Sequence, residues 1–133
     1  MGLKIKLNSI MVDNQDKALK FYTEVLAFAK GKDIDVGNGF RWITVFAPDG
    51  HPDVELVLEP NANPAGRTFQ AALLQQNIPA TAFEVDDVEA EYRRLKALGV
   101  VFTTAPTKMG PITLAVFADT CGNLIQIYQP PKK

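Results

Sequence analysis

The sequence is poor in the residues that build disulfide frameworks and metal centres. Its 133 residues include one cysteine, Cys121, and one histidine, His51. A single cysteine excludes an intrachain disulfide and fits a reducing compartment. Because a metal site needs several converging ligands, the lone histidine is expected to be an exposed loop residue rather than a metal ligand.

The chain also lacks an excess of one charge and lacks long apolar runs. It carries 14 basic and 15 acidic residues, so the formal net charge is −1. This balance provides no field that would attract nucleic acid or an anionic membrane. No apolar stretch is long enough to span a bilayer, and the alternating first residues do not form the apolar core of a secretory signal. We therefore expect a cytoplasmic protein with neither nucleic-acid nor membrane partners.

What the chain does contain is an approximate internal repeat. Residues 10–14 (IMVDN) precede an amphipathic stretch, a strand-like run that ends at 45–47 (VFA), and a close at Pro60. The second half repeats this order with 83–87 (FEVDD), 116–118 (VFA) and Pro130. A repeated unit of this size cannot bury its sheet face alone, so the repeat predicts two modules that enclose a shared space.

Periodicity predicts the same elements in each half. Module 1, about 4–60, is expected to hold a strand, a helix capped by Asp13 or Asn14, and three further strands. Module 2, about 78–130, repeats this order, and its helix is expected to stop at Gly99. A linker rich in proline and asparagine, with a short helix starting near Thr68, covers 61–77. The predicted strands lie near 4–12, 32–36, 40–46, 54–58, 78–85, 100–103, 112–117 and 124–128.

Several motifs occur in a characteristic order: Val12-Asp13-Asn14, Ala18, Phe21-Tyr22, Val25-Leu26, Phe83 to Asp87, Leu98-Gly99 and Phe117 to Leu124. Together they resemble the vicinal oxygen chelate superfamily, which contains glyoxalases, bleomycin-resistance proteins, extradiol dioxygenases and fosfomycin-resistance enzymes. The resemblance covers almost the whole chain. It implies an α+β fold in which two βαβββ modules form a half-open mixed-sheet barrel around a pocket, and it implies a homodimer.

In the metal-dependent members of that superfamily, four inward side chains, usually His and Glu, hold one divalent ion. Carried onto this chain, the four positions are Leu7, Leu56, Ala80 and Gln126, although a slip of one residue in the fourth strand would turn Glu55 inward instead of Leu56. Three apolar groups and one neutral amide do not suit a transition metal. We therefore expect no metal and no cofactor.

Strand alternation also predicts which side chains face the shared space. The inner rows mix small, polar and flexible residues, which is typical of a small-molecule cavity. Phe40, Trp42 and Phe46 alternate along one predicted strand and would stack on a planar ligand, unless they are ordinary core residues. Glu84 is a weaker candidate, as a general base. The expected ligand-binding residues are Ser9, Met11, Trp42, Phe46, Leu56, Ala80, Met109, Gln126 and Tyr128.

Two functional hypotheses follow. The first is a metal-free, glyoxalase- or bleomycin-resistance-like protein that binds a small apolar or aromatic molecule in the barrel cavity. An overall charge of −1 does not favour a cationic drug as that molecule. The alternative is a metal-dependent lyase or dioxygenase with a displaced site that uses Glu55 or Glu59, His51 and Gln126.

Overall fold

The computed structural model describes residues 2–131, and the chain forms two compact units. The first ends at Arg67 and the second begins at Thr68. Each unit holds one four-stranded mixed sheet that has a parallel pair at one edge. The predicted α+β architecture of two βαβββ modules is therefore confirmed. Among the described residues, none of the helices has the length and apolar character needed to cross a membrane.

Unit 1 follows the predicted order of elements. Its sheet has the strand order β1-β4-β3-β2, with β1 parallel to β4 and the other pairs antiparallel. Helix α1 packs against β3 and β4 and continues into a π-helical turn at Phe21–Val25. The elements are β1 at Leu7–Val12, α1 at Gln15–Lys20, β2 at Ala29–Gly37, β3 at Phe40–Phe46 and β4 at Glu55–Pro60.

Local signals in the sequence explain these boundaries. The Asn14 side chain accepts a 2.9 Å hydrogen bond from Lys17 N, so Asn14, and not Asp13, is the N-cap of α1. Gly37, Asn38 and Gly39 all have positive φ angles, of 91°, 55° and 78°. They form the tight turn that joins β2 to β3, as the sequence predicts.

The core of unit 1 lies between α1 and one face of the sheet. Five strand residues on this face are fully or almost fully buried, as are three residues of the helical segment. Because side chains alternate along a strand, the opposite face of the sheet carries Ser9, Met11, Trp42 and Thr44. The buried residues are Ile10, Val12, Ile43, Val45 and Leu58 from the strands, with Ala18, Phe21 and Tyr22 from the helical segment.

Unit 2 has the equivalent strand order, β5-β8-β7-β6. Helix α2 crosses the boundary between the units and begins at Pro64, inside the stretch predicted as linker. Proline is favoured in the first helical turn because its missing N–H would have no partner there. The elements are α2 at Pro64–Gln75, β5 at Thr81–Glu84, α3 at Val88–Ala97, β6 at Phe102–Met109, β7 at Ile112–Ala118 and β8 at Leu124–Gln129.

The strand register corrects one prediction. Ser9 pairs with Val57 in unit 1, and Ala82 pairs with Gln126 in unit 2. Ser9 and Ala82 are equivalent, because each lies five residues before the N-cap of the following helix. Val57 is therefore the counterpart of Gln126. Superposing Pro60 on Pro130 instead gives Leu56 as the counterpart of Gln126.

Leu56 consequently does not share a sheet face with the predicted ligand-binding residues. It pairs with Val45, which is fully buried on the α1 side. Glu55, Val57 and Glu59 occupy the opposite face, because side chains alternate along a strand. The expectation that Leu56 points inward is wrong, and the error arises because Pro60 corresponds to Gln129 in the ladder rather than to Pro130.

Candidate functional site

A groove of about 310 Å³ opens in unit 1 where β3 and β4 separate. The two strands pair through three residues of each, from Phe46 with Glu55 to Thr44 with Val57. The groove lies beyond this paired part. Its volume is at the lower end of the range for small-molecule sites. The side chains that characterise it are those of Val36, Phe40, Trp42, Val57, Glu59 and Asn63.

The walls of the groove are mainly apolar and aromatic. Trp42 is half-buried, Phe40 is 39% exposed and Val36 is 62% exposed. Phe40 and Trp42 alternate along β3 and therefore point to the same face. Two large rings next to aliphatic side chains suit a flat, apolar ligand, because aromatic groups stack favourably on one another.

Glu59 adds one acidic group to this apolar groove. It is half-buried, and it shares its sheet face with Val57, two residues earlier on β4. Within residues 2–131, the Glu59 carboxylate takes part in none of the side-chain hydrogen bonds or ion pairs of the fold. A carboxylate in apolar surroundings gains from a bound cation or hydrogen-bond donor, since its own solvation there is reduced.

Arg41 also borders the groove, but its charge is compensated elsewhere. Arg41 Nε and Nη2 donate to the two Asp33 oxygens at 2.9 and 3.1 Å, and Nη1 donates to Asp16 Oδ1 at 2.5 Å. The hydrogen bonds that Arg41 donates to Asp33, and then the one to Asp16, raise the pKa of Arg41. The same guanidinium lowers the pKa of Asp33, first through the hydrogen bond. Glu59 is therefore the charged groove residue whose charge has no partner in the described chain.

The four positions that the superfamily uses for a metal do not provide a suitable donor set. With the register corrected they are Leu7, Val57, Ala80 and Gln126, so three are apolar and one is a neutral amide. Such a set does not fit a divalent transition metal. Within residues 2–131, no three or more His, Cys, Asp or Glu side chains are grouped so that they could hold a metal ion.

The residues of the alternative, displaced metal site are also poorly placed to bind a metal. Glu55 Oε1 accepts a 2.5 Å hydrogen bond from Thr44 Oγ1, and Glu55 Oε2 lies 3.7 Å from Lys32 Nζ. His51 is exposed in the turn before β4. Glu55 is thus already engaged with protein groups, and His51 lies in a solvent-exposed turn.

The structure distributes the predicted ligand-binding residues over both units. In unit 1, Ser9 and Met11 lie on the face of Trp42, and Phe46 pairs with Glu55 in the closed part of the sheet. Of the nine residues, Trp42 is the one that lines the groove.

The remaining candidates belong to unit 2. Gln126 lies between Ala82 and Val116 in the sheet, and Ala80 precedes β5. Met109 ends β6 and is 56% exposed at the hairpin before β7. Tyr128 and the candidate base Glu84 do come together, because the tyrosine hydroxyl donates to Glu84 Oε1 at 3.4 Å. Glu84 is exposed.

Sequence reasoning missed most of the groove. Val36 and Asn63 carry no sequence signal, and placing Leu56 inward turns its neighbour Val57 away from the groove. Glu59 was considered only as a displaced metal ligand. The alternation of Phe40 with Trp42 was the signal that led towards the site.

The comparisons with known proteins agree with this fold. The model of the Glyoxalase/Bleomycin resistance protein/Dioxygenase superfamily matches residues 4–127. The chain belongs to this superfamily. The resemblance inferred from the sequence is thereby confirmed. The uncharacterized protein YurT of Bacillus subtilis is 54% identical over 127 residues, which are 96% of this chain and 99% of YurT.

Two crystal structures of this type are similar over nearly their whole length. UcmS2 has a TM-score of 0.82 and 33% identity, and the match covers 96% of this chain and 98% of UcmS2. TnmS3, described as an antibiotic binding protein from a Streptomyces species, has a TM-score of 0.76 and 29% identity, and the match covers 98% of each chain.

Proposed function

We propose that this superfamily member binds a small planar aromatic molecule in the groove of unit 1, without a metal, and that the molecule carries a cationic or hydrogen-bond-donating group. The observation that carries the proposal is the combination of Phe40 and Trp42 with an unpaired Glu59 carboxylate in one groove. The similarity to TnmS3, an antibiotic binding protein, supports a small-molecule ligand.

The charge of the groove, and not that of the whole chain, decides which ligands are favoured. The net charge of −1 would matter for a cationic ligand only through long-range attraction, which salt screens. In the groove, Glu59 acts at contact distance, and the Arg41 guanidinium is held by Asp33 and Asp16. A cation next to Glu59 would also lie near the ring of Trp42, where cation–π attraction adds to the binding free energy.

Three tricyclic probes of different charge test the proposal: cationic 9-aminoacridine, neutral 2-(hydroxymethyl)anthraquinone and anionic anthraquinone-2-sulfonate. Trp42 is the single tryptophan, so quenching of tryptophan fluorescence has one source. We expect saturable binding in the order cation, neutral, anion. Glu59→Gln should weaken binding of 9-aminoacridine about tenfold, the size expected for losing one charge-assisted contact.

Glu55→Gln is the matched control, because Glu55 lies on the same strand and face but pairs with Phe46 outside the groove. It should bind all three probes as the wild type does. Equal losses in Glu55→Gln and Glu59→Gln would contradict the assignment of the groove. If none of the three probes quenched the fluorescence saturably, binding of planar aromatic molecules would be contradicted altogether.

A further inference from the structure

We infer that Gln15 is a positioning residue that holds the ends of β3 and β4 apart and so keeps the groove open. The inference rests on the proposed function of the groove, because it explains how the groove is built. Gln15 is the first residue of α1 and lies on the side of the sheet opposite to Trp42. It acts through the backbone of two strands, and it does not need to touch the ligand.

The Gln15 side chain binds the backbone of both strands at the place where their pairing ends. Its Nε2 donates to Arg41 O at 2.6 Å and to Leu58 O at 2.9 Å, and its Oε1 accepts from Arg41 N at 3.1 Å. The amide group thus occupies the position between β3 and β4 that a further ladder rung would need. All three backbone groups are satisfied by one side chain.

Pro60 explains why a side chain is needed there. Continuing the register of Thr44 with Val57 would place Trp42 opposite Glu59 and Arg41 opposite Pro60. Proline has no backbone N–H, so Pro60 cannot donate to the carbonyl of Arg41. Gln15 Nε2 supplies the missing donor. Without it, the Arg41 carbonyl in this half-buried position would lack its partner.

In unit 2 the equivalent pair of strands stays hydrogen-bonded to its end. There β7 and β8 pair through six residues of each, including Leu114 with Tyr128 and Thr113 with Gln129. Gln129, the counterpart of Pro60, has an N–H and continues the ladder. Val88, the first residue of α3, takes the place of Gln15 and is fully buried. In unit 1, where the ends of β3 and β4 are open, these two positions hold Gln15 and Pro60. In unit 2, where β7 and β8 pair to their ends, they hold Val88 and Gln129.

The double variant Gln15→Val/Pro60→Gln gives positions 15 and 60 of unit 1 the residue types found at Val88 and Gln129 of unit 2. We expect β3 and β4 to pair through to their ends, which brings Trp42 directly opposite Glu59 at a Cα separation of about 4.5 Å. A new nuclear Overhauser contact between the Hα atoms of Trp42 and Glu59, and slow exchange of the amide at position 60, would report the closure. Affinity for 9-aminoacridine should fall about tenfold or more while the protein still unfolds cooperatively.

Pro60→Gln alone is the matched control. It retains Gln15, so the groove should stay open and the affinity should remain within about twofold of the wild type. Wild-type affinity in the double variant would overturn the inference, and so would the absence of the new Hα contact. If the new contact appears but wild-type protein does not bind the probe, the role of Gln15 in shaping the strands stands and the proposed function fails.

Gln15→Glu provides a second test should the double variant not fold. This change keeps the length of the side chain and its acceptor, and it removes the N–H donor to the carbonyls of Arg41 and Leu58. We expect the affinity for 9-aminoacridine to fall at least about threefold as the strand ends lose their common partner. An unchanged affinity would overturn the inference.

Discussion

Thr44 Oγ1 donates a 2.5 Å hydrogen bond to Glu55 Oε1 across β3 and β4. Thr44 is fully buried, and its hydroxyl oxygen also accepts from Lys32 N at 2.8 Å. Lys32 Nζ lies 3.7 Å from the second Glu55 oxygen. Three neighbouring strands are thus joined through one hydroxyl in the closed part of the sheet, next to the open end that forms the groove.

Gly31 leaves the space that this network needs. A Cβ atom at position 31 would overlap Thr44 Oγ1 and would lie 2.8 Å from Glu55 Oε1. We predict that Gly31→Ala lowers the free energy of unfolding by about 1–3 kcal/mol, as overpacking does elsewhere, measured by urea denaturation. Gly2→Ala is the control, since nothing lies within 4 Å of that position. Equal stability of the two variants would show that the network adapts without cost.

The order of elements and their boundaries could largely be predicted from the sequence. The N-cap Asn14, the glycine turn after β2 and the alternation of β3 are local signals, and local hydrogen bonds and sterics decide such features. The register of β4 could not be predicted in this way. Superposing Pro60 on Pro130 suggests one register for β4, while the ladders place Pro60 with Gln129. A shift of one residue reverses the face of every side chain on a strand.

The groove depends on interactions between distant residues, so its origin was not visible in the sequence. Gln15 at the start of a helix reads as a surface residue, and only the fold brings it to Arg41 and Leu58, 26 and 43 residues away. Trp42 could be predicted as a residue of the candidate groove because Phe40, two residues earlier on β3, shares its face. Glu59 could not be assigned to that face while the register of β4 was displaced.

The ion pair of Asp33 with Arg41 predicts a specific dependence of stability on pH. Because Arg41 lowers the pKa of Asp33 below its ordinary value of 3.8, the pair stabilises the fold above that pH. This contribution is lost as the pH falls through the lowered pKa of the folded state. We predict that Asp33→Asn is less stable than wild type at pH 7, and that the difference shrinks at pH values well below 3.8, measured by urea denaturation.

Asp49→Asn serves as a control for the general effect of removing a carboxylate, because Asp49 lies in the exposed turn after β3. At pH 7 the stability of Asp49→Asn should lie close to that of the wild type. A difference between wild type and Asp33→Asn that stays constant between pH 7 and pH 2 would show that the ion pair is not what links stability to pH.

The donor set at the superfamily's metal positions predicts that the purified protein carries no stoichiometric divalent metal. Leu7, Val57 and Ala80 offer no ligand atoms, and Gln126 offers one neutral oxygen. Elemental analysis of protein prepared without chelators should find well below one equivalent. Thermal melting should shift little with Ni²⁺, Zn²⁺, Mn²⁺ or Fe²⁺. One bound equivalent that is lost in Gln126→Ala or Glu55→Ala would contradict the prediction.

Exposed apolar residues in unit 1 predict a homodimer. Ile34 and Val36 on β2, and Leu7 on β1, are 52%, 62% and 49% exposed in the single chain. Apolar surface of this kind is commonly covered by a partner chain. Light scattering at micromolar concentration should give twice the chain mass of 14.6 kDa. A single species at the mass of one chain would count against the dimer.

The most direct test of the groove as the binding site is an NMR titration of the wild-type protein with 9-aminoacridine, observed at the indole N–H of Trp42. This proton gives a single indole signal, because the chain has one tryptophan. We expect a saturable shift of that signal, together with shifts of the backbone amides of Val36, Phe40 and Asn63 around the groove. Saturable shifts confined to Gln126 and Tyr128 in unit 2, with the Trp42 signal unchanged, would contradict it.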